Sequence, residues 1–196
     1  MVMTKQEVFN NPVRAFTTQQ AWRSWLEKNH AISDGIWLRI YKKASGKKTV
    51  TYAEALDEAL CYGWIDGQKK TYDAESFLQK FTPRRSKSMW SKRNREHTMR
   101  LIKEKRMTAA GRAEIDAAKK DGRWEQAYDA PSTMTIPDDF LQALKKDKMA
   151  YEFFKTLNKA NTYGIAWRLQ TARKQETRAK RMQSLLDMMK QGKKLH

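Results

Sequence analysis

Cysteine occurs once in the 196 residues, proline four times, glycine eight times and histidine three times. One cysteine excludes a disulfide framework and any Cys-based zinc module. So few Gly and Pro exclude collagenous and Pro/Gly-rich low-complexity structure. His30, His97 and His196 include no pair at ligand spacing, so no metal site is expected. No cofactor is expected either. No apolar run approaches the roughly 18–20 residues of a membrane span. The opening MVMTKQEVFN lacks the apolar stretch of a secretory signal, so a soluble protein of the cytoplasm is expected. Acidic residues are also scarce, 22 against 40 Lys and Arg, for a net charge of +18.

What is present is enough for a core, with 40% hydrophobic and 11% aromatic residues. The charge is uneven. Residues 83–110 carry a net +8 and residues 161–196 a net +7, whereas 1–82 carry +3 and 111–160 balance to zero. A localised basic excess attracts polyanions such as nucleic acid or acidic surfaces. The plain alternative is a solvated surface that keeps a small protein soluble.

Residues 1–15 suggest a polar arm. Thr17 with Gln20 offers a capping box, and Trp22, Trp25 and Leu26 then share one helical face. Ile36–Tyr41 is the best strand signal, with Ile36, Leu38 and Ile40 opposite Trp37, Arg39 and Tyr41. Ser45-Gly46-Lys47-Lys48-Thr49 is no phosphate loop, because Tyr41 stands where the first Gly is needed. Thr51 with Glu54 is a cleaner capping box, and the helix it opens closes at Gly63. Residues 64–70 and 76–81 predict a hairpin across Tyr72–Glu75. Beyond Pro83 only helices are predicted, the first capped by Ser88 and running to about Arg106. Residues 131–137 predict a linker. Apolar spacing then places four helices around Phe140, Phe154, Ile165 and Leu185. The expectation is an α+β fold: a small antiparallel sheet (helix–strand–helix–strand–strand), then a helical C-terminal half. Residues 16–107 form the α+β core and 108–196 the helical region packed on it, as one structural unit.

Cys61 reads as a small buried hydrophobe, since sequence supplies it no base. Glu54, Asp57 and Glu58 share one helical face and can do acid/base work, but they read as the solvated side of an amphipathic helix. Asp66 lies on a strand and wants a cation; Arg84 and Arg85, at the end of the next strand, are the natural partners. The densest constellation runs from Phe81 to Arg95. Arg84, Arg85 and Lys87 precede a predicted helix start, Ser88 and Asn94 add polar contacts, and Trp90 adds a stacking face. Helix N-termini favour anions, and Arg makes bidentate contacts to phosphate or carboxylate. Trp37 and Trp64 are candidate pocket walls. The opposing interpretation is an internal Asp66–arginine cluster that fixes the sheet to the following helix.

The same residues resemble the YdeI/OmpD-associated family, also called the bacteriocin-protection family. The pieces are Trp25-Leu26, Gly35-Ile36-Trp37-Leu38, Thr51-Tyr52, Ala59 to Gly67, Phe81-Thr82-Pro83-Arg84-Arg85, Ser88-Met89-Trp90-Ser91 with Asn94, and Glu176-Thr177-Arg178 with Arg181. They span roughly residues 16–190. The resemblance implies a bacterial protein with an envelope association and protection against bacteriocins. It brings no catalytic residue, substrate or cofactor. The leading expectation is a non-enzymatic binding protein whose basic surface takes an anionic partner: a phosphate-bearing ligand, nucleic acid or an acidic surface. The alternative is an enzyme on a small anionic substrate, with Asp66 as acid/base and Arg84 and Arg85 as the anion clamp.

Overall fold

A computed structural model describes residues 10–129 and 133–195. They form two compact units. One holds the described chain through Ser88 together with Asn94–Trp124; the other holds Met89–Arg93 and the described chain from Glu125 onward.

The first unit is built on a four-stranded sheet of order β1-β2-β4-β3. The strands are β1 (Val13–Ala15), β2 (Ile36–Tyr41), β3 (Trp64–Thr71) and β4 (Ser76–Pro83). β2/β4 and β4/β3 pair antiparallel, as expected. β1 is a strand where an arm was predicted, and it pairs parallel to β2. Residues 1–9 of that arm lie outside the described residues. The β3–β4 loop covers Tyr72–Glu75. Asp73 closes it by accepting hydrogen bonds from the Glu75 N–H (3.0 Å) and the Ser76 hydroxyl (2.7 Å).

Helix α1 (Gln19–Asn29) is capped by Thr18 rather than Thr17, through the Ala21 N–H. Helix α2 (Tyr52–Cys61) has the full capping box: Thr51 accepts from the Glu54 N–H, and Glu54 accepts from the Thr51 N–H. Gly63, at φ +74, ends it in a left-handed turn. Ile36, Leu38, Ile40 and Phe81 share the inner face of the sheet, and all four are buried. Trp22, Trp25, Trp64 and Phe81 form an aromatic cluster with them, at ring separations of 5.3–6.5 Å.

Helix α3 (Lys92–Lys103) starts four residues after the predicted cap. Ser88 instead closes a turn: its hydroxyl accepts from the Arg85 N–H (3.0 Å) and its own N–H donates to Arg85 (2.8 Å). Ser91 bridges Tyr128, and the Lys92 N–H donates to the Tyr128 carbonyl at 2.8 Å. At the other end Lys105 adopts a left-handed φ of +57. The Arg106 N–H then returns to Leu101 and the Lys105 N–H to Ile102, both at 3.0 Å, which is a Schellman cap. This reversal turns Arg106 back toward α2. Thr108 caps α4 (Ala109–Lys120) and satisfies the last carbonyl of α2, donating to the Cys61 oxygen from its N–H (3.2 Å) and hydroxyl (2.6 Å). Gly111 makes this contact possible, because a Cβ there would meet the same oxygen at 2.3 Å.

The second unit is helical: α5 (Asp138–Leu144), α6 (Lys148–Lys155), α7 (Lys159–Gln170) and α8 (Gln175–Lys190). Phe140, Leu144, Ala150, Ile165, Leu169, Leu185 and Met189 form its core. Asp147 and Asn158 cap α6 and α7. Part of the predicted linker, residues 131–132, lies outside the described residues. The α+β architecture with a helical C-terminal half is as expected.

Candidate functional site

The residues singled out in the sequence have separate fates. Asp66 pairs across the sheet with Phe81, and the Arg84 N–H donates to Gly63 (3.0 Å). Three strand steps separate those levels, about 10 Å. Among the described residues no ion pair joins Asp66 to Arg84 or Arg85; the Tyr52 hydroxyl donates to Asp66 instead, at 2.7 Å. Arg84 is only 6% exposed. Arg85 and Lys87 are exposed. Asn94 and Trp90 are buried, Asn94 in the first unit and Trp90 in the second. Trp64 is 1% exposed and donates its ring N–H to the His30 carbonyl (3.1 Å), so it is core. Trp37 is 4% exposed, with the Lys70 and Lys80 ammonium groups over its ring at 5.6 and 5.5 Å.

The carboxylates of α2 are where the structure departs most from the solvated-face expectation. Asp57 and Glu58 are both buried. Glu58 accepts from the side chains of Gln19, Arg23 and Arg106, each at 2.6 Å. Asp57 accepts both its close arginine bonds from Arg100 (2.7 and 2.6 Å), and His97 Nδ1 lies 2.9 Å from its Oδ1. Glu104 joins Arg100 to Arg106 at 3.0 Å on each side. Two segments distant in sequence, residues 19–23 and 97–106, thus converge on one turn of α2. Beside it, burial pushes the Cys61 thiol up to about 11, so it is protonated at neutral pH and a poor nucleophile.

Burial alone would raise the Asp57 carboxyl, but hydrogen bonds from His97 and Arg100 outweigh it and hold the group below the ordinary carboxylate range. A depressed folded value means the pair stabilises the fold above the ordinary range and that this is lost as pH falls through the lowered value. Asp57→Asn is therefore expected to destabilise most near neutral pH and least in acid. Urea melts of both proteins across that range check it; a constant gap would contradict the assignment.

In the second unit the C-terminal helices carry cations without acids to match. Arg178 pairs with Asp139, and Lys180 with Glu176. Among the described residues no ion pair engages Arg168, Arg173, Lys174 or Arg181. Arg181 is held by the Arg168 carbonyl at 2.8 Å, at the end of α7. Arg168, Lys180, Arg181, Ser184 and Leu185 line a hollow of about 210 Å³ with no carboxylate in its wall. No cluster of His, Cys, Asp and Glu suited to a metal is present among the described residues. No helix there is long and apolar enough to cross a membrane.

Fold and surface together define a two-unit α+β protein whose C-terminal helices present uncompensated cations. Residues 14–114, just over half of the chain, match the family described as a domain of unknown function, DUF8412, and the chain belongs to that family. Residues 133–192 match the model described as Bacteriocin-protection, YdeI or OmpD-Associated. Of the resembling pieces, Glu176-Thr177-Arg178 and Arg181 fall in this second match, while those from Trp25 to Asn94 fall in the first. Bacteriocin protection is the second family's name. No curated protein and no solved structure matches the chain.

Proposed function

We propose that this protein is a non-enzymatic binding protein that takes a phosphate-bearing polyanion on the basic surface of α7 and α8. The observation that carries the reading is the hollow lined by Arg168, Lys180 and Arg181 with no acid in its wall. Lys180 reaches Glu176 at 2.7 Å, whereas no ion pair among the described residues engages Arg168 or Arg181, so a bound phosphate chiefly relieves the repulsion between these two arginines. The net +7 of residues 161–196 extends the attraction beyond the hollow. Exposed Arg85 and Lys87 add to the basic surface of the chain.

Binding of this kind rests on counterion release and tolerates sequence changes. Labelled single-stranded RNA or DNA should bind at low salt and weaken steeply toward physiological salt. Arg168→Gln/Lys180→Gln removes two cations without touching the core. It should make the log–log salt slope shallower by about two. No binding at low salt, or an unchanged slope in the variant, would sink the proposal.

A further inference from the structure

We propose that Trp167 is a stacking platform for the bases of a single-stranded nucleic acid whose phosphates lie on Arg168 and Arg181. This rests on the polyanion reading and narrows its ligand from any phosphate-bearing chain to one that carries unpaired bases. Five of the seven tryptophans are at most 5% exposed, among them Trp90, the stacking face expected from the sequence. Trp25 is half-buried, and Trp167 is 36% exposed. Tryptophan is highly buried on average, so the one tryptophan open to water is the one to account for.

The ring is held on one side and open beyond it. Tyr128 packs against it nearly edge-on, with ring centroids 6.3 Å apart and an interplanar angle of 84°. Gln170, three residues along α7 and so on the same side of the helix, exchanges hydrogen bonds with Asp129. Its side-chain oxygen accepts from the Asp129 N–H (3.0 Å), and its amide donates to the Asp129 carboxylate (2.6 Å). This clasp seats Tyr128 and Asp129 against α7. A ring fixed before the ligand arrives loses little entropy on binding, and every base has a π-face to offer it.

Cations flank the ring, and other cations meet the acids of this region. Asp129 pairs with Lys92 (2.6 Å), Glu176 with Lys180 and Asp139 with Arg178. Among the described residues this leaves Arg168, Arg173, Lys174 and Arg181 outside any ion pair. Arg168 follows Trp167 directly, about 100° around the helix, and both are exposed. The Thr171 hydroxyl donates to the Trp167 carbonyl (2.7 Å), and Arg181 reaches that hydroxyl (3.4 Å) and the Arg168 carbonyl (2.8 Å). Arg173 reaches the sulfur of Met89 (3.3 Å), two residues before Ser91, the bridge partner of Tyr128, which puts a further cation on the Tyr128 side. On such a surface a single strand gives its phosphates to the cations and a base to the ring. A duplex keeps its bases stacked on one another and uses only the charge.

The test titrates the full chain at low salt with three probes: single-stranded oligo-dT, a DNA duplex and inorganic polyphosphate. Trp167→Leu keeps an apolar side chain against Tyr128 and removes the stacking face. It should weaken oligo-dT binding roughly tenfold at an unchanged log–log salt slope. Polyphosphate, which has no bases, and the duplex should bind this variant as they bind wild type, which also shows that α7 and α8 remain folded. Trp167→Phe should recover much of the loss, since it restores an aromatic face. The inference is overturned if Trp167→Leu weakens all three probes alike, or weakens none. In both of those cases binding of polyphosphate by wild type leaves the polyanion reading standing; if wild type binds none of the three at low salt, both fall.

Discussion

Glu58→Ala should cost about 3 kcal/mol of folding stability, the lower part of the range for breaking a buried ion pair from one side. Glu58 is 2% exposed and takes hydrogen bonds from Gln19, Arg23 and Arg106. Removing it leaves two guanidinium groups facing each other across an empty site. Their partial exposure lets water relieve some of that, which keeps the figure at the lower end. The loss also reaches further than one contact. Glu58 ties α1 and the end of α3 to α2, so three helices loosen together. Glu58→Gln should fall between, since it keeps the volume and one acceptor oxygen but loses the charge. Glu58→Leu/Arg106→Leu should recover much of the loss, because it removes charge from both sides. Urea melts of the four proteins decide the matter. A cost under about 1 kcal/mol for Glu58→Ala would place the residue among ordinary surface pairs.

That network marks the limit of what the sequence could say about a site. Glu54, Asp57 and Glu58 have the spacing of a solvated helical face, and Glu54 behaves as its capping box requires. Asp57 and Glu58 do not, because their partners come from Arg23, Arg100 and Arg106, 35 to 48 residues away. One signal was available. Ala55, Leu56, Ala59, Leu60 and Cys61 put small or apolar residues around more than one face of α2. A helix apolar on several sides is covered on several sides, and acids within it need cations.

Local chemistry was legible elsewhere. The Thr51–Glu54 box, the loop at Tyr72–Glu75 and the alternation of Ile36, Leu38 and Ile40 each depend on neighbours within a few residues, and each stands as read. Elements fixed from afar were not. β1 has three residues and exists because β2 pairs with it. The start of α3 is set by Tyr128, 36 residues beyond Lys92, rather than by Ser88. The displaced helix start also takes away part of the argument for an anion site at Arg84, Arg85 and Lys87. The first-turn N–H of Lys92 already has the Tyr128 carbonyl, and Ser88 is engaged with Arg85.

Trp64→Ala is expected to cost about 4 kcal/mol, in the range for truncating a buried aromatic residue. The ring lies edge-on to Trp22 at 6.5 Å and to Trp25 at 5.8 Å, and its N–H satisfies the His30 carbonyl at 3.1 Å. Truncation therefore opens a void in the aromatic cluster and orphans a carbonyl at the end of α1. Trp64→Phe separates the two effects. It keeps most of the volume and loses the donor, so a loss of about 1–3 kcal/mol should remain. The pair of variants also separates core from pocket wall. A wall of a binding site would lose ligand affinity on truncation and little stability, since a ring facing water has little packing to lose. A core ring loses stability first, and any ligand effect follows unfolding. Denaturant midpoints measured beside phosphate and nucleic-acid titrations distinguish these. Near-wild-type midpoints with weakened binding would return Trp64 to the site; a large fall in midpoint, with binding intact in the folded fraction, keeps it in the core.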